Sequence, residues 1–457
     1  MINIDNHDTI VGPATPPGEG GIGIIRLSGS LAETYLLRLF HPLEKTAALE
    51  SHYFYYGRFQ FPDGALLDEV MAILMRGPRS YTKEDVVEVH CHGGPVVMRR
   101  ILDLFINEGA RLARPGEFTL RAFLNGRIDL VKAEAVIDVI RSRSDAAHNN
   151  ALGHLEGRLS AAIDGFRADL AGLLSLVEAY IDFPEEDMEL PDQERVCSSA
   201  LDILGRMDAL LATFDEGRAL REGAAVLILG RPNVGKSSLM NALLGETRAI
   251  VTDISGTTRD TIEENLVVGG LPLRLVDTAG ICNTFDRVEF EGVRRAREKV
   301  SSADLVLLVV DGSRVPGKDD FLALEACRDA RVLLVVNKSD LPSVSLPLPF
   351  SDLPLVRVSA QTGEGIKGLQ EKMVSFFEGW GSDARESVLL SNRRHREALV
   401  RSRQALHRFY TGMAEEISLE FLSLELRECL QALGEITGET TPGEILERIF
   451  SRFCIGK

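Results

Sequence analysis

Across 457 residues only six cysteines occur, and they are widely scattered. That excludes a dense disulfide framework and suits a reducing compartment. No apolar run approaches the roughly 20 residues that cross a bilayer. Basic charge is also in short supply: 51 Lys and Arg face 68 Asp and Glu, a formal net charge of −17. A broad basic footprint for non-specific nucleic-acid binding is therefore excluded, and any RNA contact has to be local or shared with a partner. The opening residues, Met1-Ile-Asn-Ile-Asp-Asn-His7, have neither a basic region nor an apolar one, so the expectation is a soluble, cytoplasmic protein with no membrane association.

What is present is a 45% hydrophobic content, enough for real cores. Residues 1–120 alternate β-branched or aromatic runs with Gly/Pro turns. Ile22–Leu27, Tyr53–Phe59, Val70–Leu74 and Val86–His90 read as strands and Pro95–Asn107 as a helix, giving a small α+β domain. From Gly116 to Phe183 proline is absent and apolar residues recur at helical spacing, as in Val131, Ala135 and Val139. Helical period also fits Arg195–Leu220 and, after an abrupt change of pattern at Ala225, returns over Arg385–Leu433. One helical domain with an α/β unit inserted into it is expected: 1–120 α+β, 121–221 helical, 222–380 the insert, 381–457 helical again.

The insert reads as strand, loop and helix, then a hairpin at Gly269-Gly270 and a helix over Val288–Val300. Strand Leu305–Val310, helix Phe321–Arg328 and strand Val332–Val336 follow. Four prolines between Leu341 and Pro354 leave little room for a helix there; strand Leu355–Val358 and helix Gly365–Phe377 close the unit.

Its first strand, Ala225–Leu229, runs into Gly230-Arg-Pro-Asn233-Val234-Gly235-Lys236-Ser237-Ser238 and a helix. Strand, G-x-x-x-x-G-K-S, helix is the context that makes a phosphate-loop match strong. The glycines let backbone N–H groups turn toward a diphosphate at a helix N-terminus, Lys236 reaches the outer phosphates, and the Ser237 hydroxyl suits Mg²⁺. Asp277-Thr278-Ala279-Gly280 follows a strand; Asp277 suits a water-mediated Mg²⁺ contact and Gly280 an N–H bond to the γ-phosphate. Asn337-Lys338-Ser-Asp340 supplies a carboxylate for the two donors of a guanine edge, and Ser359-Ala360 closes over the base. Thr252-Asp253-Ile254-Ser255-Gly256-Thr257-Thr258-Arg-Asp suits a mobile loop whose Thr258 completes the Mg²⁺ shell. Together, in order, these imply GTP rather than ATP. A Gln that orients water is missing after Gly280, where Ile281 and Cys282 stand; Asp286, Glu289 and Glu291 are the nearby carboxylates.

With these motifs, Ala14-Thr-Pro-Pro-Gly18, Gly20-Gly-Ile-Gly-Ile-Ile-Arg26, Tyr81-Thr-Lys-Glu-Asp-Val-Val-Glu88 and the final Phe453-Cys454-Ile-Gly-Lys457, the chain resembles the MnmE (TrmE) family of tRNA-modification GTPases from end to end. The resemblance implies an α/β plus α architecture: an N-terminal α+β folate-binding-like domain that dimerises, a helical domain, and an inserted Ras-like P-loop GTPase domain. It implies a homodimer that acts with the flavoprotein MnmG (GidA) on C5 of the wobble uridine of tRNA, using formyl-tetrahydrofolate or a related folate. It also implies K⁺ held by Asn233, Thr252, Ile254 and Thr257, Mg²⁺ held by Ser237 and Thr258, and Glu289 as the catalytic carboxylate. The folate residues would be Arg26, Glu88, Arg127 and Lys457, with Arg127 replacing a Lys of some members. A GTP-switched scaffold in ribosome or RNA assembly is the alternative.

Three other features invite roles. In His90-Cys91-His92, strand alternation puts Cys91 on the face opposite both histidines, which argues against a metal. Cys454 suggests a reactive thiol or a pocket residue. The strip Arg393, Arg394, His395, Arg396, Arg401, Arg403 and Arg408 is either a solvated helix face or an RNA or partner contact.

Overall fold

The computed structural model describes residues 8–44, 47–182, 193–246, 263–277, 297–380 and 387–457. Two compact units emerge, one of Met1–Ile137, Ser160–Gly172 and Arg427–Lys457, the other of Asp138–Leu159 and Leu173–Leu426.

The first unit is built on seven strands: β1 (Ile10–Pro13), β2 (Gly20–Ser28), β3 (Phe40–Pro42), β4 (Phe54–Gln60), β5 (Leu66–Met75), β6 (Val86–Gly93) and β7 (Arg111–Leu112). They lie in the order β3-β4-β5-β6-β2-β1-β7, antiparallel except for the β1–β7 pair. Helices α1 (Ala32–Leu39) and α2 (Pro95–Asn107) supply Leu36, Ile101 and Phe105 to the core on one face of the sheet. Pro95 opens α2, where its missing N–H costs nothing. The four strands read from pattern are present; β1, β3, β7 and α1 are too short or too weakly periodic to have been read. α3 (Glu117–Leu124) and α4 (Leu130–Arg141) follow.

The second unit contains α5 (Asp145–Glu156), the two ends of α6 (Arg158–Asp182), α7 (Gln193–Ala212) and α8 (Phe214–Glu222), then a six-stranded sheet. Its strands are β8 (Ala224–Leu229), β9 (Glu263–Val268), β10 (Leu271–Asp277), β11 (Leu305–Asp311), β12 (Val332–Asn337) and β13 (Leu355–Arg357). The order is β13-β12-β11-β8-β10-β9, all parallel but for the β9 edge. β8, β11 and β12 are buried at every position, so they read as unbroken apolar runs covered on both faces. α9 (Lys236–Glu246), α10 (Lys318–Ala326) and α11 (Ile366–Ser375) complete the layers. The proline-rich connection makes only a 3₁₀ turn at Phe350–Asp352, as its composition requires. Helix α10 begins three residues before the expected start because Gly317 N–H is capped by Asp320 Oδ2 at 2.9 Å. Of the helix expected over 288–300, residues 288–296 lie outside the described residues, and 297–300 are helical.

After the insert come α12 (Arg393–Ala414), α13 (Leu419–Thr437) and α14 (Gly443–Phe450). α12 packs along α7, so the chain returns beside its point of departure, and the P-loop domain is an insert in a helical body. Both stretches of helical period are interrupted at positions the pattern did not mark. Thr213 Oγ donates to Leu210 O (2.7 Å) and accepts from Leu390 N (2.9 Å), separating α7 from α8. Glu416, at φ +56°, ends α12 in the left-handed conformation usually reserved for Gly.

Candidate guanine-nucleotide site

β8 delivers Gly230 to the carboxyl edge of the parallel sheet, and Lys236 opens α9. A Cβ on Gly230 would lie 2.4 Å from the Val309 carbonyl oxygen, so only Gly lets the loop leave beside β11. Gly235 has φ +96°, and a Cβ there would stand 2.3 Å from Asn337 Nδ2. Asn233 takes φ +65°, a conformation Asn tolerates better than most residues. Its side chain is exposed, as are those of Ser237 and Ser238, while Val234 is fully buried. Lys236 is buried; its ammonium donates to the carbonyls of Gly230 (2.8 Å) and Arg231 (2.9 Å).

The residues expected to contact the base bond to this loop and to one another. Asn337 Nδ2 donates to Val234 O at 2.8 Å, and Asn337 Oδ1 accepts from Ala360 N at 3.0 Å. Ser359 Oγ donates to Asp340 Oδ1 at 2.6 Å and accepts from Thr362 N at 3.2 Å. Lys338, at φ +67°, donates its Nζ to Asp311 Oδ2 at 2.7 Å. Burial works to raise the Asp311 pKa, but the Lys338 ammonium and the Ser313 donors outweigh it and hold it at about 2. Asp311 was missed from sequence; its only signal is a carboxylate ending an apolar strand next to the one that ends in Asn337.

The loop residues Thr252, Asp253, Ile254, Ser255, Gly256, Thr257 and Thr258, with Thr278, Ala279, Gly280 and Glu289, lie outside the described residues. The backbone of Asp277 ends β10 in register with Ile228 of β8.

In the first unit, Arg26 of β2 stands opposite Glu88 of β6, with Arg26 Nε to Glu88 Oε1 at 2.8 Å. Arg26 also donates to Gly456 O at 3.0 Å. The guanidinium carbons of Arg26 and Arg127 lie 5.5 and 4.8 Å from the centre of the Tyr81 ring. Arg127 donates to Tyr81 O at 3.0 Å. Burial, then the Arg26 charge, push the Lys457 ammonium below its usual pKa, with Glu88 opposing them. Gly456, at φ +97°, passes so close to Pro13 O that a Cβ would lie 1.9 Å away, which seats the last residues against β1. Arg26, paired with Glu88, and Arg127 thus both lie against Tyr81, and Lys457 feels the charges of Arg26 and Glu88; the place of Tyr81 was missed by sequence reasoning. Cys454 is exposed.

The remaining candidates are occupied otherwise. Cys91 is buried, its thiol donating to Gly23 O at 3.3 Å, while His92 pairs with Asp68 at 2.7 Å on the other face. In the basic strip, Arg403 pairs with Asp208 (2.8 Å), Arg408 with Glu425 (2.7 Å) and Arg393 with Glu397 (3.0 Å), which favours the helix-face reading.

A phosphate loop at the carboxyl edge of a mostly parallel sheet, bonded directly to an Asn-Lys-Ser-Asp loop, defines a phosphate-loop guanine-nucleotide-binding protein. Residues 130–454 match the model of the MnmE helical domain, and residues 9–127 that of the GTP-binding protein TrmE N-terminus. The chain is 61% identical over 456 residues to the tRNA modification GTPase MnmE of Syntrophotalea carbinolica, covering 99% of this chain and 100% of that one. To the proteins of the same name from Geobacter sulfurreducens and Geobacter metallireducens it is 53% and 52% identical over 454 residues, covering 99% of each chain. The chain belongs to the MnmE (TrmE) family, and it is a GTP hydrolase. Among the described residues no helix is long and apolar enough to cross a membrane.

Proposed function

We propose that this protein hydrolyses GTP to drive modification of C5 of the tRNA wobble uridine to an aminomethyl or carboxymethylaminomethyl form, together with the flavoprotein MnmG, in the cytoplasm. The observation that carries the reading is likeness over the whole length, 61% identity across 456 residues, to a tRNA modification GTPase. A mass analysis of tRNA nucleosides after deletion of the protein tests it; unchanged wobble uridines would overturn it.

In this reading the domains fall at 1–120, 121–221, 222–380 and 381–457. The backbone N–H groups of Val234–Ser238 cradle the phosphates, and Asp340 reads the guanine edge. Oxygen donors suit a hard cation: the Ser237 hydroxyl, at the start of α9, with Thr258, fits Mg²⁺, which when bound offsets charge on the β- and γ-phosphates. The exposed amide of Asn233 fits K⁺ with the carbonyls of Thr252, Ile254 and Thr257; bound K⁺ supplies the positive charge that an arginine finger provides elsewhere. Glu289 orients the attacking water when two G domains of a homodimer meet.

The placement of Arg26, Glu88, Arg127 and Lys457 supports a folate site. A folate offers a pterin that pairs with a carboxylate such as Glu88, and glutamate carboxylates that pair with cations such as Arg127 and Lys457. Cys454, exposed in the same tail as Lys457, is the candidate thiol for that chemistry.

A further inference from the structure

The Asp311 carboxylate has no part in the roles assigned so far, yet it is 4% exposed and fully bonded. β11 brings it into register with Asn337 at the end of β12, and Gly312 N closes the pair by donating to Asn337 O at 2.8 Å. Oδ1 accepts from Ser313 N (3.0 Å) and Ser313 Oγ (2.6 Å), which leaves Oδ2 for Lys338 Nζ. Lys338 itself holds a left-handed backbone, a conformation that is unfavourable for a residue with a Cβ and persists only where its surroundings impose it. A buried carboxylate is tolerated because it is paired, and the pairing draws down its pKa to about 2. The Lys338 side chain is one-third exposed although its ammonium is tied back to a buried carboxylate, which leaves the methylene stem open to a ligand.

We propose that Asp311 is a positioning residue for purine binding: by anchoring Lys338 Nζ to the sheet edge, it fixes the Lys338 stem as the wall against which the base face packs, beside the Asp340 carboxylate. This rests on the guanine-nucleotide reading of the site. Asp311 acts on the face of the base through Lys338 and has no contact with the base edge. Its loss weakens GDP and IDP alike, whereas edge recognition by Asp340 separates them, since hypoxanthine lacks the exocyclic amine.

The test is a double-mutant cycle on the full chain, with Asp311→Asn, Lys338→Met and both together, reading fluorescent GDP release and the affinities of GDP and IDP. Asp311→Asn is expected to speed GDP release about ten-fold, the scale of one charged hydrogen bond, with the GDP-to-IDP affinity ratio unchanged. Added to Lys338→Met, it has no further effect. Release at the wild-type rate from Asp311→Asn, or effects that multiply, would overturn the proposal. Where Asp311→Asn does not fold, Lys338→Met alone takes its place, since it keeps an apolar stem and removes the anchored ammonium; GDP release at the wild-type rate from that variant overturns the proposal. If the unaltered chain fails to prefer GDP over IDP and Lys338→Met changes nothing, the guanine site reading itself fails.

Discussion

Asn337 Nδ2 donates to the Val234 carbonyl oxygen at 2.8 Å, joining the Asn-Lys-Ser-Asp loop to the glycine-rich loop between β8 and α9. The same amide accepts from Ala360 N, so one buried side chain ties together three strand ends.

Asn337→Ala should therefore weaken both the nucleotide site and the fold. It strands the Val234 carbonyl and the Ala360 N–H, a cost of about 3 kcal/mol in all. Denaturant titration and GDP titration check the two effects. Gly235→Ala should be worse for binding, because its Cβ would meet Asn337 Nδ2 at 2.3 Å in a left-handed backbone.

Glu289→Ala is expected to keep GTP affinity while hydrolysis falls by about 10³ or more, the range that positioning effects reach in such sites. Single-turnover hydrolysis measured beside equilibrium binding separates the two. Normal turnover would remove Glu289 from the mechanism.

GTP turnover in KCl against NaCl at matched ionic strength, over a range of protein concentration, bears on the cation. Turnover should rise in K⁺ without an added activator, and more steeply at high protein concentration. Equal slow rates in both salts would move activation to another partner.

The proposed folate site carries a pH signature through Lys457. Its pKa in the folded chain lies below the usual 10.5, so between those two values the unfolded chain holds more protons and stability rises with pH. A carboxylate ligand favours the ammonium, so affinity for a folate should be flat below the lowered pKa and fall as pH rises through it. Calorimetric titration at several pH values measures this. Lys457→Met should remove the pH dependence over that range, and Arg26→Ala should weaken binding outright by breaking the pair with Glu88.

The nucleotide chemistry was legible in the order of residues because a phosphate loop is local. Two glycines, a lysine and a serine act within one turn, between an apolar strand and a helix, and no distant residue is needed to recognise them. The insertion was legible for a similar reason, since the switch from helical period to buried strands is abrupt at Ala225. Broken helices escaped notice because the breaks at Thr213 and Glu416 are made without Gly or Pro, by contacts such as Thr213 with Leu390, 177 residues away. Only the tertiary structure put Tyr81 beside Arg26 and Arg127, and Lys457 within reach of the charges of Arg26 and Glu88, because these residues come from two strands, two loops and the last residue of the chain. Only parallel register set Asp311 beside Asn337 and gave its carboxylate to Lys338. Pairing across a sheet joins residues by strand order, and strand order in an α/β unit is decided by how the helices between the strands pack.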